Sequence, residues 1–141
     1  ELIECALRGG VASVFGTDLD PQAIAAAEAN WAAAGLKAVR SRFACADFRR
    51  VVERGDIASE SVALIITNPP MGRRVRVPDL RGLIEDLFAA AARVLQPGGR
   101  LVFANPTHVA PRDRSLELEY RQVIDLGGFD CHLEKYVKTA R

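Results

Sequence analysis

The sequence predicts an α/β fold: a mostly parallel sheet with helices on both faces, ending in an antiparallel hairpin. Two observations predict it. Short apolar runs such as "VASVFGTD", "SVALIIT" and "RLVFANP" alternate with longer helical stretches, and strands interleaved with helices build parallel βαβ units. The last stretch, "LELEYRQVIDLGGFDCHLEKYVK", alternates on both sides of Gly127-Gly128, as two strands of a hairpin do.

Each element has a local reason. "ELIECALRGG" sets Leu2, Ile3, Cys5 and Ala6 toward one side before a Gly-Gly stop, which reads as a helix. Residues 11–18 form a buried strand that ends on Asp18. Pro21 suits a first helical turn, Asp20 can cap it, and the Ala-rich stretch runs to Gly35, a C′ residue. Residues 38–44 read as a strand with Asp47 just past its end, and residues 49–60 as a short helix or loop. "SVALIIT" is apolar throughout, as a strand covered on both faces should be. Asn68-Pro69-Pro70 ends it, because proline cannot donate to a ladder. "DLRGLIEDLFAAAARVL" puts Leu80, Leu83, Ile84, Leu87 and Ala91 on one stripe, and "QPGG" stops that helix before the strand "RLVFANP".

Bulk composition narrows the function classes. A chain of 141 residues with 49% hydrophobic and 26% charged residues fits one globular domain. A net charge of +1 supplies no global field for nucleic acid, so any such partner must be held by local clusters. Cys5, Cys45 and Cys131 lie far apart and lack metal-ligand spacing, which predicts reduced thiols of a cytoplasmic protein and no metal. No apolar run approaches the ~20 residues of a membrane span. No signal peptide is visible, and the chain opens on Glu1 inside a helix, so an upstream part is expected.

The chemistry is expected where parallel strands end, since open α/β sheets bind ligands at that edge. Three strands end in polar groups there: Asp18, Asp47 and Asn68. A carboxylate in that position can accept from both hydroxyls of a ribose, and one after the next strand from an adenine amino group; plain loop acids are the alternative. Pro69 and Pro70 restrict the residue before each and have no N–H. The amide oxygen of Asn68 and the carbonyl of Pro69 are therefore two acceptors close together. Such a pair can take both hydrogens of an exocyclic amino group and leave its lone pair free. An ordinary Asn-Pro turn is the alternative.

"FGTDLDPQAIAAAEANWAAAGL", "ACADF" and "ITNPPMG" together resemble class I S-adenosylmethionine-dependent methyltransferases of the amino-methylating type, with their Asp/Asn-Pro-Pro-aromatic signature. "NPPMGRR" and the opening "ELIECAL" are most similar to the THUMP-associated RNA guanine-N2 methylases, a UPF0020-like group. The resemblance covers nearly the whole chain. It implies a Rossmann-like class I methyltransferase fold and a single catalytic domain over residues 1–141. It implies S-adenosyl-L-methionine as cofactor, with Asp18 at its ribose, Asp47 at its adenine, and Leu19, Phe48 and Asn68 also in contact. Asn68, Pro69, Pro70 and Met71 would form the catalytic set holding the target amino group, guanine N2 of tRNA or rRNA first among targets. Adenine N6 of DNA or RNA, a protein glutamine amide, or a silent binding module are the other readings.

Two departures stand out. Met71 takes the place of the aromatic residue that would stack on the base, and methionine packs on a base face more weakly. The family's strand and Gly-rich loop, which would precede Glu1, are not in the sequence. Arg73 and Arg74, with Arg76 beyond, follow the motif and are expected to grip RNA phosphates. Arg49-Arg50 and Arg112/Arg114 read as surface charge, His108 as a loop histidine, Trp31 as packing and Asn105-Pro106 as a turn.

Overall fold

The computed structural model describes residues 1–71, 77–128 and 130–140. The chain divides into two compact units, Glu1–Val51 and Val52–Arg141, and its strands form two sheets.

The first unit contains α1 (Leu2–Leu7), β1 (Ser13–Asp18), α2 (Pro21–Ala33), β2 (Arg40–Cys45) and most of α3 (Phe48–Glu53). β1 and β2 pair in parallel, from Ser13↔Arg40 to Asp18↔Cys45. α2 starts as its sequence requires: Asp20 caps it by accepting from the Gln22 N–H at 2.8 Å, with Pro21 in the first turn. It stops because Gly35 takes φ +66°, a left-handed conformation that favours glycine. Trp31 anchors the helix in a core with Ala6 and Val14, and Leu2, Val39 and Phe43 pack around them. The Trp31 and Phe43 rings meet edge-on, with centroids 6.0 Å apart. Packing is therefore the role of Trp31.

The second unit contains β3 (Val62–Thr67), α4 (Leu80–Val94), β4 (Leu95–Asn105), β5 (Leu116–Asp125) and β6 (Asp130–Lys138). The sheet order is β3-β4-β6-β5, parallel between β3 and β4 and antiparallel elsewhere. The terminal hairpin expected around Gly127-Gly128 is β5–β6, which pair from Leu116↔Lys138 to Asp125↔Asp130. α4 buries Ile84, Leu87, Phe88, Ala91, Ala92 and Val94. Its predicted stripe thus shifts toward Phe88, while Leu80 and Leu83 are only half-buried. Phe88 contacts the rings of Phe103 (5.5 Å) and Tyr136 (5.0 Å) edge-on. Each such pair contributes about 0.5–1.5 kcal/mol beyond the area it buries.

Two expectations change in detail. "QPGG" is not a clean break: α4 runs directly into β4, with Val62 opposite Leu95 and Leu64 already opposite Arg100. Residues 96–99 bulge between those pairs, and a Cβ on Gly99 would lie 2.9 Å from the Val62 carbonyl oxygen. β3, expected to be covered on both faces, is mostly half-buried and lies at the edge of its sheet among the described strands.

Candidate active site

The carboxyl ends of β1 and β2 bring two of the predicted acids together. Asp18 ends β1 opposite Cys45, and the Ala46 N–H donates to the Asp18 carbonyl at 2.8 Å, so the chain leaves β2 beside Asp18. Asp18 accepts the Asp20 N–H on Oδ1 at 2.8 Å, and its side chain is exposed. Asp20 is the capping acid, as expected, while Asp18 has no part in the cap and keeps an exposed side chain at the strand end. Leu19, 70% exposed, follows directly and offers bare apolar surface next to Asp18.

Asp47 has a different environment. It sits at the start of α3, where Oδ1 accepts the Arg49 N–H at 2.9 Å. The Arg49 guanidinium grips both carboxylate oxygens, with Nε at 3.0 and 3.1 Å and an Nη at 2.6 Å. This side-chain hydrogen bonding from Arg49 outweighs burial and holds the Asp47 carboxyl below its ordinary value. Arg49, read from sequence as surface charge, is instead the partner of Asp47. Phe48 is half-buried at the first position of α3, and the Arg49 guanidinium lies 5.9 Å from its ring centre.

In the second unit, Asn68-Pro69-Pro70 follows β3 directly after Thr67, which pairs with Phe103. Pro69 is buried, Pro70 and Met71 are half-buried, and Asn68 is exposed. Among the described residues, no group bonds to the Asn68 side chain. A buried imino acid thus pins the backbone beneath an amide that faces outward. Arg73, Arg74 and Arg76 lie outside the described residues.

β3 and β4 are parallel neighbours, so the chain following Asn105 leaves the sheet at the same rim as Asn68. Asn105-Pro106 does turn the chain there: Asn105 Oδ1 accepts the Thr107 N–H at 2.9 Å and the Thr107 hydroxyl at 2.8 Å. It is more than a turn, since Asn105 is fully buried and its amide donates to the Val109 carbonyl and to Glu134. The following loop and the first turns of α4 line an open surface cavity of about 390 Å³, bordered by Arg81, Glu85, Thr107, His108 and Arg112, among others. Arg81 and Glu85 lie on a helix that the sequence marked only for its apolar stripe. Their one local signal was the i,i+4 spacing of an ion pair. Among the described residues, no group of three or more His, Cys, Asp or Glu side chains could hold a metal ion. No helix among them is long and apolar enough to cross a membrane.

This architecture has close structural counterparts. TrmN from Thermus thermophilus superposes with a TM-score of 0.74 at 25% identity, over 97% of this chain and 40% of that one. A magnesium protoporphyrin IX methyltransferase from Synechocystis PCC 6803, with SAM bound, gives 0.65 at 11% identity over 97% of this chain and 64% of its own. Geranyl diphosphate methyltransferase in complex with SAM gives 0.66 at 17% identity over 98% and 73%. The chain thus spans only two fifths of the length of TrmN. The fold is the Rossmann-like fold of class I methyltransferases. Within that class, the chain belongs to the family of RMKL-like methyltransferase domains (UPF0020), whose model matches residues 3–134. No curated protein matches the chain in sequence.

Proposed function

We propose that this chain is the catalytic domain, residues 1–141, of an S-adenosyl-L-methionine-dependent enzyme that methylates an exocyclic amino nitrogen of an RNA base. Guanine N2 of tRNA or rRNA is the foremost target, and the enzyme acts in the cytoplasm. The observation that carries this reading is the exposed, uncommitted Asn68 amide above buried Pro69, in a chain whose family match runs through both units. Likeness to TrmN adds support.

The residues suit the roles proposed for them. Asp18 keeps an exposed carboxylate oxygen beyond the one that holds the Asp20 amide, which suits a ribose diol. Leu19 and Phe48 offer apolar surface for the adenosine part. Asp47 can accept from the adenine amino group once Arg49 gives up one of its contacts, since three Arg49 N–H groups now engage both of its carboxylate oxygens. When bound, S-adenosylmethionine supplies an electrophilic methyl on its sulfonium. Asn68 Oδ1 and the Pro69 carbonyl accept the two amino hydrogens and orient the nitrogen lone pair, so positioning supplies most of the acceleration. Pro70 restricts the backbone at Pro69, Met71 packs on the base face, and Arg73 and Arg74 hold phosphates.

The test uses labelled cofactor with total RNA, DNA and protein as acceptors. Label should enter RNA, and Asn68→Ala should cut transfer by about 10²-fold or more while cofactor binding by calorimetry is retained. Transfer unchanged in that variant removes the amino clamp. Label entering only DNA or protein removes the RNA assignment.

A further inference from the structure

We infer that the cavity between the first turns of α4 and the loop after β4 binds a backbone phosphodiester of the substrate, with Arg81 and Arg112 as its ligands. This rests on the reading above that the substrate is a nucleic acid.

Glu85 accepts Arg81 Nε at 3.0 Å on one oxygen and an Arg112 Nη at 2.7 Å on the other. Two guanidiniums would repel each other this close together, and the carboxylate between them offsets that repulsion. Each arginine commits one nitrogen to Glu85, yet 75% and 80% of their side-chain surfaces remain exposed, against 24% for Glu85. The acid is therefore the inner member, and the arginines turn their remaining N–H groups outward. Stability alone gives little reason for such a pairing, since exposed ion pairs contribute about 0–1 kcal/mol each. A planar fork of donors, held in place beforehand, suits a tetrahedral anion with several acceptor oxygens. The cavity, about 390 Å³, admits a phosphodiester, and exposed His108 adds a further donor or acceptor at its wall.

Position supports the same ligand. The loop bearing His108 and Arg112 leaves β4 at the rim where β3 ends in Asn68. The cavity does not include Asn68. A group held there is other than the reacting amino group, and of the groups in a polynucleotide the two guanidiniums select the phosphate. The loop's root is rigid: Asn105, fully buried, ties it to Val109 and to Glu134 on β6.

The experiment measures binding of fluorescein-labelled unfractionated tRNA to the full chain by anisotropy across a salt series, beside calorimetry with S-adenosylmethionine. Arg81→Ala/Arg112→Ala should weaken tRNA binding about 10- to 100-fold. Its log–log salt slope should become shallower by about 0.7–0.9, with cofactor affinity unchanged. Glu85→Gln, which removes the competing anion, should bind tRNA at least as tightly as the wild type. Unchanged tRNA affinity and slope in the double variant would overturn this site and leave the methyltransferase reading standing. Equal weakening by Glu85→Gln would also overturn it, by showing that the ion pairs only shape the loop. A wild type that binds neither tRNA nor rRNA labelled in the same way would overturn both.

Discussion

Glu134 on β6 is 1% exposed, and three donors answer its charge. Arg121 Nε donates at 2.7 Å, Asn105 Nδ2 at 2.9 Å and the Tyr136 hydroxyl at 3.1 Å. Removing the acceptor leaves two buried donors unanswered, at about 1–3 kcal/mol each. Arg121 is half-exposed and can turn to water, so the loss stays below the sum for a fully buried pair. Glu134→Ala should therefore destabilise the chain by about 2–4 kcal/mol in urea unfolding, and Glu134→Gln by less, because one acceptor survives. The same network governs Tyr136. Burial first, and then the Glu134 charge, push its phenol up to about 12. The folded state holds this proton more tightly than the unfolded chain. The stabilisation is therefore full below the ordinary tyrosine value near 10.0 and is lost as pH rises from there toward 12. Titration of phenolate absorbance should show a late step near pH 12 that vanishes in Tyr136→Phe; its persistence would assign the step elsewhere.

Among the elements, α4 joins core and rim. Its inner face supplies Ile84 and Phe88, its outer face Arg81 and Glu85, and its start is fixed by Asp79, whose Oδ1 accepts the Gly82 N–H at 2.7 Å. Asp79→Ala should cost about 1 kcal/mol and lower the melting temperature by roughly 3–5 °C, with the native circular dichroism retained below the transition. No change would mean that water replaces the cap. The far end of the helix is tied by Lys138, a buried cation on β6 that donates to the Ala92 carbonyl at 2.7 Å and to Glu60 at 3.0 Å. Alternation along β6 explains why: Glu134, Tyr136 and Lys138 lie two residues apart, share one face of the strand, and are all buried. β3 carries an unbroken apolar run, yet among the described strands of this chain it has a single neighbour, β4, and is mostly half-buried.

Across the molecule, protection should follow sheet position. β4 and β6 have strand neighbours on both sides, whereas β5 is an edge with every residue from Glu117 to Val123 exposed. Hydrogen exchange should be slowest in β4 and β6 and fast at the β5 amides that do not face β6. Uniform protection across the sheet would contradict the observed strand order. The sequence alone determined the kind and order of the elements, the Asp20-Pro21 start and Gly35 stop of α2, the terminal hairpin, and the stop of β3 at Asn68. All of these are written in periodicity and turn chemistry within a few neighbouring residues. Tertiary structure decided the rest: which strands share a sheet, the burial of Glu134 against Asn105, the grip of Arg49 on Asp47, and the convergence of Arg81 and Arg112 on Glu85. Arg49 lies only two residues from Asp47, yet nothing in the local pattern separates a paired arginine from a solvated one. Arg81 and Glu85 have the i,i+4 spacing of a helix pair, but Arg112–Glu85 and Asn105–Glu134 join residues 27 and 29 apart in sequence. Their partners are chosen by the packing of whole elements, and no repeat along the chain encodes that choice.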